Sequence, residues 1–142
     1  MEIVRYKKQH KKKIFLNILS KFLGSIHYGY FGIKSHNSNI ITIKQMETVR
    51  KIFVKVTKRT GKLFIRVYFS FPKTSKSLLS RMGKGVGSIK NWISYVKNGT
   101  IFLEIVNLEK KKVKFFFKLI CSKLKMKIQL MIREIFKKNL LK

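Results

Sequence analysis

The chain has no alanine and no aspartate, one proline, one cysteine and five acidic residues, all glutamate, in 142 positions. Each scarcity excludes something. A lone cysteine, Cys121, rules out an internal disulfide framework, and its apolar neighbours Ile120 and Leu124 suggest a buried structural thiol. His10, His27 and His36 lack the spacing of metal ligands, and with one Cys and no Asp a zinc site has too few donors. The glutamates, Glu2, Glu47, Glu104, Glu109 and Glu134, are scattered and form no catalytic constellation, so neither an enzyme nor a cofactor is expected. Glu47 and Glu104 are expected instead to hold a nearby Lys or Arg or to satisfy backbone groups. No run reaches the roughly 18 uninterrupted apolar residues of a membrane-spanning helix. The apolar segment after Lys13 is broken at Lys21 with no small-residue cleavage site beyond it, unlike a signal peptide.

What is present is positive charge. Lys and Arg number 34, giving a net charge of +29, which repels itself unless a polyanion neutralises it. Binding to such a partner should weaken on the order of a thousandfold with modest added salt, because each phosphate contact releases counterions. The chain is nevertheless built to fold: 45% of its residues are hydrophobic and 13% aromatic, whereas disordered basic arms are poor in both. Its length suits one domain. Three readings fit this composition: an RNA-binding structural protein, an RNA-binding assembly factor, and a basic membrane-surface protein whose amphipathic segment begins at Leu108. Alternating central strands favour a globular core over the membrane reading. Heavy use of Lys, Ile, Phe, Leu and Asn without Ala or Asp matches AT-rich codons, as in an organelle-encoded gene, although AT-rich nuclear or bacterial genomes produce the same bias.

Three regions follow from the pattern. Residues 1–24 are a basic arm (Arg5, Lys7, Lys8, His10, Lys11) and an apolar segment; 25–132 form an α+β RNA-binding domain; 133–142 are a basic tail with apolar positions Ile135, Phe136, Leu140 and Leu141. Gly29-Tyr30-Phe31-Gly32 marks the entry to a strand, and Ile40-Ile41-Thr42 is a short second one. Thr42 is a good helix N-cap, and Ile43, Met46, Val49, Phe53 and Val56 share a face of the helix that follows. Lys44, Arg50, Lys51, Lys55, Lys58 and Arg59 fall mostly elsewhere on it, and Gly61 is expected to end it with positive φ. Residues 62–70 alternate like a strand, and 72–87 read as a long basic connection with three glycines. Residues 91–96 and 100–106 are strand candidates joined by Lys97-Asn98-Gly99 as a hairpin. Trp92 is expected in the core rather than as a stacking platform. Asn107 is a candidate cap for a second helix over 108–123, packing through Leu108, Val113, Phe116, Phe117, Ile120 and Leu124, with a last strand over 126–132.

The order of motifs is distinctive. Gln45 on the helix, Lys58-Arg59-Thr60-Gly61-Lys62 at the strand entry, Arg81-Met82-Gly83-Lys84-Gly85 before Trp92, Tyr6-Lys7-Lys8-Gln9-His10-Lys11 in the arm and Gly29-Tyr30-Phe31-Gly32 together resemble large-subunit ribosomal protein family sixteen in its bacterial and organellar form. The resemblance covers residues 6–132 and is densest over 45–105. It implies an antiparallel sheet with two packed helices, a basic N-terminal arm and a long Gly-rich basic loop. It further implies binding to large-subunit rRNA near the central protuberance, neighbouring large-subunit proteins as partners, and no small-molecule substrate. The loop, carried here by Lys76, Arg81, Met82, Gly83, Lys84 and Gly85, is implied to point towards tRNA and the peptidyl-transferase region. For rRNA, the arm together with Arg50, Lys51, Lys55, Lys58, Arg59, Lys62 and Arg66 is the expected contact set. The implied location is the mitochondrial matrix, in the mitoribosome, with plastid or apicoplast as the alternative. Two departures stand out: Phe69-Ser70-Phe71-Pro72-Lys73 replaces a proline-rich, acid-containing connection, and Lys11-Lys12-Lys13-Ile14-Phe15-Leu16 replaces an Arg/Gly-rich stretch. A nucleotide-binding reading of the glycine loop fails because no Gly-Lys-Ser/Thr ends it.

Overall fold

The computed structural model describes residues 24–83 and 85–133. Among the described residues, seven strands and two helices follow one another as β1 (Phe31–Ser35), β2 (Asn39–Thr42), α1 (Ile43–Thr57), β3 (Lys62–Ile65), β4 (Phe71–Ser75), β5 (Ser88–Val96), β6 (Ile101–Val106), α2 (Lys110–Lys123) and β7 (Ile128–Ile132). They form an α+β fold in which all strand pairing is antiparallel. One sheet has the order β3-β6-β1-β7, the other β2-β5-β4.

Helix α1 begins where its sequence says it should. Thr42 accepts from the Gln45 backbone N–H while the Gln45 side chain accepts from the Thr42 N–H, a reciprocal capping box. Met46, Val49 and Phe53 are buried along one face, but Ile43, in the first turn, stands exposed. The helix also ends earlier than expected. Lys58 and Arg59 take the left-handed conformation (φ 49° and 69°), and Thr60 folds back onto the Thr57 carbonyl. Gly61 does not take positive φ; a Cβ there would crowd the end of the Leu108 side chain at 2.6 Å and the Val106 carbonyl oxygen at 3.2 Å.

Helix α2 buries Val113, Phe116 and Ile120, and Phe116 meets Phe53 of α1 edge to face at 5.3 Å. Asn107 is not its cap. Asn107 sits in the left-handed region (φ 55°) and the N-cap is Glu109, with no side-chain capping bond. Cys121, expected inside, is exposed, because the helix turns Ile120 rather than its neighbour towards the core.

Strand β6 is buried at five consecutive positions, Ile101 to Ile105, as suits a central strand covered on both faces. Two expectations about its surroundings are corrected. Lys97-Asn98-Gly99 does not join a hairpin: β5 and β6 lie in different sheets, and the turn is fastened to the β1–β2 connection by Gly99 N–H to Ser35 O and Asn98 N–H to the Ser38 hydroxyl. The start of the long connection is a strand: β4 pairs with β5 in the register Phe71↔Ile93 to Ser75↔Ser88, and its proline is tolerated because β4 is an edge. Trp92, opposite Pro72, is half-buried rather than fully enclosed. The main core draws on β1, β2, both helices, β5 and β6, so a single apolar cluster unites the two sheets.

Candidate RNA-binding surface

Three elements carry the described residues of the expected contact set. On α1, Lys44, Lys51 and Lys55 recur at intervals of seven and four, which places them on one exposed stripe opposite the buried Met46–Val49–Phe53 face, with Lys58 just past the helix end. The strained left-handed turn at Lys58 and Arg59 leaves both exposed at the helix end. Arg50 differs from its neighbours. Its Nε and Nη2 donate to the two Glu47 carboxylate oxygens at 3.0 and 2.7 Å, and this pairing holds the Glu47 carboxyl below its ordinary value. Much of its charge is therefore matched within the helix.

The second element is β3, the edge of the four-stranded sheet. Lys62, Phe64 and Arg66 alternate with Leu63 and Ile65, so the first three share a face. Arg66 has an internal task. Its Nη1 donates to Glu104 Oε1 at 2.6 Å and to the Ser25 carbonyl at 2.8 Å, and its side chain is 26% exposed. Glu104, 0% exposed on the central strand, also accepts the backbone N–H groups of His27, Tyr28 and Gly29. Burial pushes the Glu104 carboxyl upward, but those three donors and Arg66 outweigh it and hold the group below the usual carboxylate range. Glu47 and Glu104 thus do what their isolation suggested, each binding an arginine.

The third element is the loop over residues 76–87. Strands β4 and β5 bring its ends together at Ser75↔Ser88, so it projects from the three-stranded sheet as a long excursion. Lys76, Arg81, Met82, Gly83 and Gly85 are all exposed; Gly83 (φ 90°) and Gly85 (φ 73°) have positive φ and open space around them. Leu78, Leu79 and Met82 are almost wholly exposed, an apolar tip on a basic loop. Lys84 lies outside the described residues, as do Arg5, Lys7, Lys8, His10, Lys11 and the tail after Arg133.

Sequence reasoning passed over a groove between the helices. Lys111, Lys112 and Lys123 of α2 join Lys55 of α1 around an apolar floor of Ile52, Val56, Phe115 and Leu119, enclosing about 750 Å³. The signal was available, since 112, 115, 119 and 123 recur at helical spacing. Among the described residues there is no cluster of three or more His, Cys or Glu able to hold a metal, and no helix long and apolar enough to cross a membrane.

The exposed cations lie on a helix stripe, at a sheet edge and on a glycine-containing loop, and the sequence carrying them matches the family model "Ribosomal protein L16p/L10e" over residues 1–131. The chain belongs to that family. It is therefore a ribosomal protein, of a structural rather than enzymatic family. The relatives agree along nearly its whole length. It is 35% identical over 123 residues to large ribosomal subunit protein uL16 of Buchnera aphidicola, covering 87% of this chain and 88% of the relative. Against uL16 of Petrotoga mobilis the identity is 32% over 130 residues, 92% and 91% of the two chains. Against uL16c of Cyanidium caldarium it is 37% over 115 residues, 81% and 82%.

Proposed function

We propose that this L16p/L10e-family chain is a structural constituent of the large ribosomal subunit of an organelle, the mitochondrion in preference to a plastid, and that it binds large-subunit rRNA near the central protuberance. The observation that carries the reading is the family match over residues 1–131, which includes the Arg81-Met82-Gly83-Lys84-Gly85 run intact. Composition supports the organellar part: a chain without Ala or Asp and rich in Lys, Ile and Asn is what AT-biased codons produce.

The roles divide by geometry. Exposed Lys44, Lys51, Lys55, Lys58, Arg59 and Lys62 act on phosphates as point charges or forks, fixing position without reading bases. The N-terminal arm, with Arg5, Lys7, Lys8, His10 and Lys11, binds the same RNA. The loop with Lys76, Arg81 and its glycines extends to tRNA in the A site and the peptidyl-transferase region, where positive-φ glycines let backbone N–H groups approach phosphate closely. Neighbouring large-subunit proteins cover part of the remaining surface.

Gradient sedimentation of fractionated organelles at low and high salt tests this, with the chain followed by mass spectrometry. Co-migration with the mitochondrial large subunit at low salt, with release as salt rises, is expected. Recovery only in plastid or cytoplasmic ribosomes would overturn the location, and migration at low salt with membranes or as a small free species would overturn the ribosomal role.

A further inference from the structure

Tyr28 and Phe64 are far apart in sequence, yet their rings stack at 5.4 Å between centroids with 25° between planes. Neither is core. Tyr28 is 66% exposed and Phe64 37%, although burying ring area is the usual use of an aromatic. The pair lines an open depression of about 500 Å³ with His27, Ile65 and Arg66.

The depression is rigidly built. The buried Glu104 carboxylate accepts the N–H groups of His27, Tyr28 and Gly29 and also binds Arg66, so both walls are pinned to one residue of the central strand. Phe64 is the strand partner of that same residue. Gly29 lets the segment lie this close, since a Cβ there would stand 2.7 Å from the Ile105 carbonyl oxygen. His27 is held from the side by the Ser25 hydroxyl at 3.0 Å. Preorganised aromatic rings with little entropy left to lose are what a weak, planar ligand needs.

Charge decides the ligand. Lys62 and Arg66 flank Phe64 on its own face of the edge strand, giving the order cation, ring, cation. Among the described residues no acidic side chain lines the depression, and Glu104 beneath it is already neutralised by Arg66. With the Arg66 charge matched by Glu104, a flat π surface beside the exposed Lys62 suits an anionic chain carrying flat rings, with bases on the ring and phosphate on Lys62. We propose that Tyr28 and Phe64 form a stacking platform for an unpaired nucleotide of single-stranded RNA. This deepens the rRNA-binding reading above and rests on it. An acidic protein segment would satisfy the cations but not require a stacked ring pair.

The test uses the full-length protein and three labelled RNAs of equal length: an oligo(A) strand, an abasic ribose-phosphate strand, and a duplex, with binding followed by anisotropy across a salt series. Wild type should bind oligo(A) more tightly than the abasic strand at every salt concentration. Tyr28→Ala should remove most of that preference, weakening oligo(A) binding by roughly five- to 150-fold, while leaving abasic binding and the salt slope unchanged. Phe64→Leu keeps apolar volume on the strand and should have the same effect in a chain that still folds; Phe64→Trp should retain the preference. Equal wild-type affinity for oligo(A) and the abasic strand, or unchanged preference in both Tyr28→Ala and Phe64→Leu, overturns the platform while leaving phosphate binding intact. Absence of salt-dependent binding to any of the RNAs would instead defeat the RNA-binding reading itself, and the platform with it.

Discussion

Replacing Glu104 with Gln should destabilise the protein severely, and the structure sets the scale. The carboxylate accepts through Oε1 from His27 N and Arg66 Nη1 and through Oε2 from Tyr28 N and Gly29 N. An amide has one accepting oxygen. Whichever way Gln is turned, its NH2 faces two donors, so two charge-assisted bonds disappear and two N–H groups are left unsatisfied. Bonds to charged groups contribute about 1.5–3 kcal/mol each, and removing one partner of a buried pair costs about 3–5 kcal/mol. Partial solvent access at Arg66 argues for the lower part of that range, about 3–4 kcal/mol. Against a total stability of about 5–15 kcal/mol that is a large fraction, and it corresponds to a fall in Tm of roughly 10–20 °C.

Acid provides an independent check. The folded carboxyl lies below its ordinary value, so its contribution is complete above the unfolded glutamate pKa of about 4.3 and is lost as pH falls through the lower folded value. Urea unfolding followed by circular dichroism from pH 7 to pH 3, at fixed ionic strength, should show wild-type stability dropping below about pH 4.3. Glu104→Gln should start low and show less of that drop. Glu47→Gln makes the same change in net charge at an exposed helix position and should scarcely alter the profile. Stabilities of Glu104→Gln and wild type within about 0.5 kcal/mol at pH 7 would refute the reasoning, since that is the scatter of surface substitutions. Parallel acid profiles would refute it equally.

Two further outcomes are expected. Phe116→Ala should cost about 3–5 kcal/mol by thermal or urea unfolding, because the ring is fully buried against Phe53 and its removal leaves a cavity. Replacing Lys51 and Lys55 by Gln should reduce the slope of log affinity against log salt by about 0.7–0.9 for each phosphate no longer neutralised, the lower figure for single strands and the higher for duplex, without altering base preference; an unchanged slope would remove them from the phosphate-binding face.

Local signals were readable where local physics decides. The capping box at Thr42 and Gln45 needs only residues three apart, and the buried faces of both helices follow from a 3.6-residue period, so Met46, Val49, Phe53, Val113, Phe116 and Ile120 are legible from spacing alone. Misreadings came where a distant partner decides. Asn98-Gly99 makes a turn whichever strands it serves, and only pairing across the fold sends β5 to one sheet and β6 to the other. Pro72 read as loop because nothing local shows that β4 would lie at an edge, where a missing N–H does no harm. Gly61 and Cys121 were misjudged for related reasons: the chain reverses at Lys58 and Arg59 before Gly61 is reached, and Cys121 is exposed because α2 turns Ile120 to the core.

The sequence by itself determined the partner and the family. Net charge, acid scarcity and motif order are properties of the chain as written, and +29 demands a polyanion however the chain folds. The tertiary structure decided which of those charges are available and what stands beside them. It fastened Arg66 to Glu104, 38 residues away in sequence. It brought Lys55 against Lys111, Lys112 and Lys123, and stacked Tyr28 on Phe64. Most of those meetings join residues remote in sequence, and their geometry is fixed by sheet register and helix packing, which exist only once the whole core has formed.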